Sequence, residues 1–562
     1  MRHLLLFLSL YFGIHSVLAQ SFVLSNKYFV QFTDKDNSPY SLDNPEAFLS
    51  LRAIERRQRQ NIPLDEKDLP VNPQYLQGVK NAGAQLLFPS KWLNGVTIIA
   101  DNPSIVDSVE ALPYVSEVKL ITFTEEKKFD FEEKSFFKYE TETPFKEENL
   151  SFAEKNSRDY DYGQAYQQIN LINGIPLHNY GYRGEGMIIA ILDAGFEDVP
   201  TQPLFDSLWD NGQILGTKDF LIPGGNVFNG STHGRKVLST MGANKPGLMI
   251  GTAPKASFWL LRPENPSQEY IAEEYNWVSA AEFADSAGAD VINSSLGYIT
   301  FNDPSQNHTF EELDGNTAVV TIGADMAASR GMIVCNSAGN EGGNWWNHLG
   351  FPADGDSVFT VGAVDNNGNY ASFSSPGPTY DGRIKPNVVA TGSGTTVANG
   401  YSGVTYSSGT SFSSPITAGM VACLWQAMPE KNNMEVIWSV MESGTTAEDP
   451  DNHIGWGIPD YDQALNILTS IDSNQENGNK FSVLAYPLPF NTYLNLKFNT
   501  FLKEPVMISV MDLSGKVVFR KTVRTPGMKI VLNKWELNLT KGIYLLEIKT
   551  EQATQTLKIS VM

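Results

Sequence analysis

Between residues 160 and 468, short apolar runs recur at 187–192, 291–292, 332–334 and 358–361, broken only by Thr360 in the last. Helical periodicity fills the space between them, near 271–289 and 413–428. A strand with one wet face alternates apolar and polar residues, whereas an uninterrupted apolar strand is buried on both faces. Such strands need helices above and below, which dictates an α/β domain with a mostly parallel sheet. The block holds about 310 residues, enough for one large domain.

The flanks read differently. Residues 1–19 carry the parts of a secretory signal: basic Arg2, an apolar stretch at 4–14, and Val17-Leu18-Ala19, with cleavage expected after Ala19. The apolar stretch is about 11 residues, too short to cross a hydrocarbon core of roughly 30 Å. No later apolar run is long enough to span a membrane. Residues 20–121 give the order β, α, α, β, β, α, β, a small α+β unit. Residues 122–159 alternate charges with single aromatics and hold almost no aliphatic side chains, the composition of an exposed linker. A polar stretch at 469–480 reads as a second linker. Residues 481–562 show period-2 strands separated by turn residues, a small β-sandwich.

Charge excludes one class of function. Lys plus Arg number 41 against 63 Asp plus Glu, a net charge of -22. Nucleic-acid proteins show the opposite balance. The 2 cysteines cannot make a disulfide framework. Cys335 and Cys423 sit in apolar surroundings and read as buried free thiols, a mutual disulfide being the alternative.

Four side chains in the large block carry chemistry. Ser411 lies in Gly409-Thr-Ser-Phe-Ser-Ser-Pro415, a turn entering a long apolar helix. At a helix N-terminus a serine can attack a carbonyl while its own N–H stabilises the oxyanion. The plainer role is an N-cap. His233, in Ser231-Thr-His-Gly-Arg-Lys236, opens another apolar helical stretch and is the best-placed base; His178, His308, His348 and His453 fall in polar or aromatic loop-like segments. Asp193 ends the strand at 187–192, where α/β sheets present functional groups. Asn340, in Asn336-Ser-Ala-Gly-Asn340, follows another buried strand and can offer its amide to an oxyanion.

Each residue alone has an ordinary structural explanation, but together they supply every part of one reaction. Ile189-Ala-Ile-Leu-Asp-Ala-Gly195, His233-Gly234, Asn293-Ser-Ser-Leu-Gly297, Asn336-Ser-Ala-Gly-Asn340 and Gly409-Thr-Ser-Phe-Ser-Ser-Pro415 resemble the subtilisin-like serine proteases. The resemblance implies a three-layer subtilisin-like fold over 160–468 and serine endopeptidase activity. It makes Ser411 the nucleophile, His233 the base and Asp193 its orienting carboxylate. Asn340 and the Ser411 N–H form the oxyanion hole, and Ser295, Leu296 and Gly297 pair with the substrate backbone. Arg235 and Lys236 depart from the Thr and His often found after His-Gly and would add positive charge near the cleft.

The same resemblance makes residues 20–121, with Ser90-Lys-Trp-Leu-Asn-Gly95, an inhibitory and chaperoning propeptide released by cleavage in 122–159; a permanent binding domain is the competing reading. Tyr486-Pro-Leu-Pro-Phe490, Asp512-Leu-Ser-Gly-Lys516 and Leu539-Thr-Lys-Gly-Ile-Tyr-Leu545 resemble the C-terminal sorting domain of the Bacteroidetes type IX secretion system. Leu488 replaces its usual Asn, and its basic residue near the end is missing after Lys558. A carbohydrate- or protein-binding sandwich is the alternative there. The expected protein is secreted or at the cell surface, exported through the periplasm, with protein or peptide substrates, its own propeptide and the type IX machinery as partners, and no nucleic acid. The chemistry needs no cofactor; many relatives bind structural calcium, but no metal ligand can be assigned. The intact Asp193, His233, Asn340 and Ser411 favour a protease over a catalytically silent adhesin on the same fold, and the pairing segment 295–297 weighs against an esterase.

Overall fold

The computed structural model describes residues 25–122, 160–475 except 402, and 483–561 except 487, 489, 492, 503, 514, 525 and 552. The expected signal at 1–19 and the linker beyond residue 122 lie outside the described residues.

The first unit contains β1 (Lys27–Phe32), α1 (Leu51–Arg59), α2 (Pro73–Asn81), β2 (Gln85–Ser90), β3 (Gly95–Ile99), α3 (Pro103–Glu110) and β4 (Val115–Thr122), in the element order expected. Both α2 and α3 start with an Asn cap followed by Pro, Asn72-Pro73 and Asn102-Pro103, each Asn accepting from a backbone N–H of the first turn. The antiparallel sheet runs β2-β3-β1-β4. Val30, Phe32, Val96 and Ile98 pack under α2 and α3 through Val79 and Val109. The opposite face, through Phe29, Leu87, Ile99 and Ile121, packs against the central domain.

The central domain is built on β5 (Ile188–Leu192), β6 (Ile214–Asp219), β7 (Ser257–Arg262), β8 (Val291–Ser294), β9 (Ile333–Ser337), β10 (Phe359–Val364) and β11 (Val388–Thr391). Its 7 strands run in the order β11-β10-β9-β8-β5-β7-β6, every neighbouring pair parallel. The longer helices are α4 (His233–Gly242), α5 (Ala272–Ala287), α6 (Val319–Ser329), α7 (Thr410–Ala427), α8 (Asn433–Glu442) and α9 (Tyr461–Gln475). Ile189 and Ile191 of β5 face the α4 and α7 side, while Ala190 and Leu192 face α5 and α6. Both faces are therefore apolar, as the unbroken runs required. After β5 the chain moves out to β6 and β7, then crosses to β8 on the other side of β5. This reversal opens a crevice at the carboxyl ends of β5 and β8, where open parallel sheets bind ligands. The register sets Leu192 beside Ser294 and Ser294 beside Asn336, so the residues following these strands share one edge.

α9 continues to Gln475, so the first part of the stretch expected as a linker at 469–480 is helical. Polar composition marks solvent contact, not backbone conformation, and a helix anchored by the buried Tyr461, Ala464 and Leu468 propagates at little cost. Beyond it, two antiparallel sheets of 3 and 4 strands enclose Phe490, Leu494, Leu496, Phe498, Val510 and Leu546, the expected sandwich. Among the described residues no helix is long and apolar enough to cross a membrane.

Candidate active site

Asp193 stands one residue past β5 and is fully buried. The turn that follows must run against the start of α4. Gly195 there has φ +148, and a Cβ on it would come within 2.5 Å of Asn229 O. A Cβ on Gly234 would come within 2.5 Å of Gly195 O. Glycine at both positions lets strand end and helix start touch, which is the structural content of the Asp-Ala-Gly and His-Gly pairs.

His233 is the first residue of α4. Its Nδ1 lies 2.7 Å from Asp193 Oδ1, which also accepts from Ala194 N at 2.7 Å. A carboxylate only accepts, so the imidazole carries a proton on Nδ1 and Nε2 is the basic nitrogen. The ring neighbours Phe412, centroids 5.9 Å apart, the residue immediately after Ser411. Ser411 is the second residue of α7 and is buried; its Oγ makes no hydrogen bond within the described residues. Catalytic contacts of this kind often tighten only when substrate binds.

Asn340 follows β9 and is buried. Its Oδ1 accepts from Thr410 N at 2.9 Å and from Thr410 Oγ1 at 3.0 Å. With the oxygen turned to Thr410, the NH2 is the part of the amide able to serve an oxyanion. Ser295, Leu296 and Gly297 continue directly from β8; the first two are buried and Gly297 is partly exposed. The Ser295 hydroxyl turns to the Ser411 carbonyl, 2.8 Å away. The expected residues thus gather at the carboxyl ends of β5, β8 and β9 and the starts of α4 and α7. Thr410 lay inside a motif already conspicuous in the sequence, but nothing there revealed that it holds Asn340.

Some surroundings differ from expectation. Arg235 does not bring a free charge to the cleft: it is buried and paired with Asp198 at 2.6 Å. His178 is not in a loop but in the short helix Ile175–Asn179, buried between Tyr162 Oη (2.8 Å) and Thr252 O (2.9 Å), and burial lowers its pKa to about 4. By contrast, Cys335 and Cys423 are free and buried as expected, and burial pushes both thiols up, away from nucleophilic use. Glu264, Glu269 and Glu273 bring carboxylate oxygens within 4.8 Å of one another. Glu264 accepts from Tyr298 Oη (3.0 Å), and Glu273 accepts from Asn265 N (2.6 Å) and Tyr270 N (3.3 Å).

Comparison with known proteins gives three matches along the chain. The subtilase family pattern matches residues 184–457. The peptidase S8 propeptide domain of Bacteroidota matches 27–135, and the secretion system C-terminal sorting domain matches 484–562. Subtilisin E of Bacillus subtilis (strain 168) is 30% identical over 298 residues, 52% of this chain and 69% of its own. Subtilisin DY of Bacillus licheniformis is 33% identical over 273 residues, 48% of this chain and 87% of its own. Among solved structures, fervidolysin from Fervidobacterium pennivorans, a keratinolytic enzyme related to subtilisin, has a TM-score of 0.53 at 17% identity, over 95% of this chain and 76% of that one. That likeness speaks for the fold alone.

Proposed function

The chain belongs to the subtilase family, and we propose that it cleaves peptide bonds through Asp193, His233 and Ser411 with a covalent acyl-enzyme. As a family member it is a serine endopeptidase made as a zymogen with its own propeptide. Its sorting domain marks it as an exported protein, secreted or held at the cell surface.

In this reading His233 Nε2 takes the Ser411 proton as Oγ attacks the scissile carbonyl. Asp193 fixes the ring through Nδ1 and stabilises the imidazolium. The tetrahedral oxyanion receives the Ser411 N–H and the Asn340 NH2. His233 then returns the proton to the leaving amine, and water, activated by the same nitrogen, hydrolyses the acyl-enzyme. The segment 295–297 pairs with substrate main chain, which favours breadth over sequence selectivity. The signal at 1–19 would start export, and cleavage within 122–159 would free the propeptide. The observation that supports this most is the 2.7 Å contact between Asp193 and His233, with the ring set against the residue after Ser411.

The test compares residues 20–562 as wild type and Ser411→Ala. Self-cleavage and casein hydrolysis are expected from the first and neither from the second. Equal behaviour in both assays would overturn the reading.

A further inference from the structure

A helical carbonyl at position i accepts from the N–H at i+4. For Ser411 that position is Pro415, inside α7 and without an N–H. The helix therefore lacks the usual i+4 donor to the carbonyl of the residue read as nucleophile, and the proline ring crowds that oxygen away from the helix axis. A buried carbonyl without a partner is destabilising and leaves its peptide poorly anchored.

A side-chain relay supplies the missing donor. Ser414 Oγ donates to Asn293 Oδ1 at 3.0 Å. Asn293 Nδ2 donates to Ser295 Oγ at 3.1 Å. Ser295 Oγ donates to Ser411 O at 2.8 Å. All four residues have 0% exposure, so water does not compete. Direction is fixed along the chain. Because the Asn293 amide donates to Ser295 Oγ, that hydroxyl turns its own proton to Ser411. Because Ser414 donates to the amide oxygen, the amide does not flip. The relay starts and ends on α7, three residues apart, and passes through β8 and the residue after it.

We infer that Ser295 is a positioning residue for the nucleophile, held in its donating direction by Asn293 and Ser414. It replaces the helical hydrogen bond that Pro415 removes. The consequence goes beyond stability. The segment expected to pair with substrate and the peptide that carries Oγ and the oxyanion N–H become one rigid piece. The spacing between attacking oxygen and scissile carbonyl is then set by the hydrogen bond from Ser295 to Ser411, not by substrate affinity. This rests on Ser411 being the nucleophile.

The experiment is a double-mutant cycle in the full chain: Ser295→Ala, Pro415→Ala and both together, with Ser411→Ala as the control. Each is followed by kcat and KM on a peptide anilide and by the rate of acylation with a fluorophosphonate. A misplacement of about 1 Å costs roughly 100-fold. Ser295→Ala is expected to lower kcat about 10- to 100-fold and to slow acylation in parallel, with KM within about twofold. In the Pro415→Ala background the backbone N–H restored at that position takes over, and the same substitution is expected to cost about threefold or less. Unchanged kcat, or an equal loss in both backgrounds, would overturn the inference. Activity retained in Ser411→Ala would instead overturn the reading of the nucleophile. Should Ser295→Ala fail to fold, Ser414→Ala tests the far end of the relay: a lower kcat at constant KM supports it, and an unchanged kcat overturns it.

Discussion

Asn340 shows how one residue depends on its neighbour. An amide presents either a donor or an acceptor to a cleft, and two hydrogen bonds from Thr410 decide which. Asn340→Ala should lower kcat by about 100- to 1000-fold with little change in KM, the size expected for one oxyanion donor. Thr410→Val keeps the shape, removes the Oγ1 bond and should give a smaller loss; steady-state kinetics on a peptide anilide read both. The positions of Asp193, His233, Asn340 and Ser411 were legible because each sits in a Gly-marked turn at the end of a strand or start of a helix. Thr410, Asn293 and Ser414 were not. A hydroxyl or amide near a turn has many ordinary uses, and only the fold decides which acceptor it meets.

At the scale of elements, α5 is the most instructive. Its periodicity was plain, yet almost its whole length is buried, including Glu273, Glu274, Glu282 and Asp285. Sequence reading assigns such acids to solvent, because the cations that meet them come from distant parts of the chain. Glu274 meets His308 Nε2 at 2.5 Å, while Glu312 meets Nδ1 at 2.9 Å. Burial disfavours the charged ring, but Glu274 and Glu312 outweigh it and raise the pKa from 6.5 to about 9. A raised histidine pKa gives stability that is complete below pH 6.5 and lost as pH rises through about 9. Thermal unfolding between pH 6 and pH 9.5 should therefore show a falling midpoint, flattened in His308→Gln, with the variant lower by roughly 5 °C at pH 6. Parallel curves for the two proteins would contradict this.

At the scale of the molecule, the strand and helix pattern of the units was legible in the sequence, but the joint between the first two was not. The Arg residues of α1 read only as part of a helical pattern. In the structure Arg56 and Arg57 are buried and meet Asp285 at 2.5 and 2.9 Å, with Lys91 Nζ at 2.7 Å. Glu282 accepts from Ser90 Oγ (2.6 Å), Lys91 N (2.8 Å) and Trp92 N (3.0 Å), so the segment 90–95 docks on α5. Burial raises the Glu282 pKa, whereas at Asp285 the three cations overcome burial and hold the carboxyl below its usual range. Removing one partner of a buried pair typically costs about 3–5 kcal/mol. Asp285→Asn takes the carboxylate from Arg56 and Lys91, while Arg57 keeps Asp68 at 2.7 Å, so the cleaved propeptide should inhibit at least about 100-fold more weakly. The lag between self-cleavage and full activity would shorten accordingly, as followed by continuous peptide-anilide assay. An unchanged lag would show that the grip lies elsewhere. By contrast, the sorting domain touches the catalytic domain through contacts such as Asn533 Nδ2 to Gly382 O at 2.7 Å and Lys529 Nζ to Ala447 O at 2.5 Å.

The central claim is that Ser411, activated by His233, is the nucleophile of an exported protease. Labelling with a fluorophosphonate, followed by mass spectrometry of the modified peptide, tests it most directly. The adduct should appear on Ser411 alone and vanish in Ser411→Ala, with labelling strongly slowed in His233→Ala. An adduct on another serine, or undiminished labelling of Ser411→Ala, would contradict it.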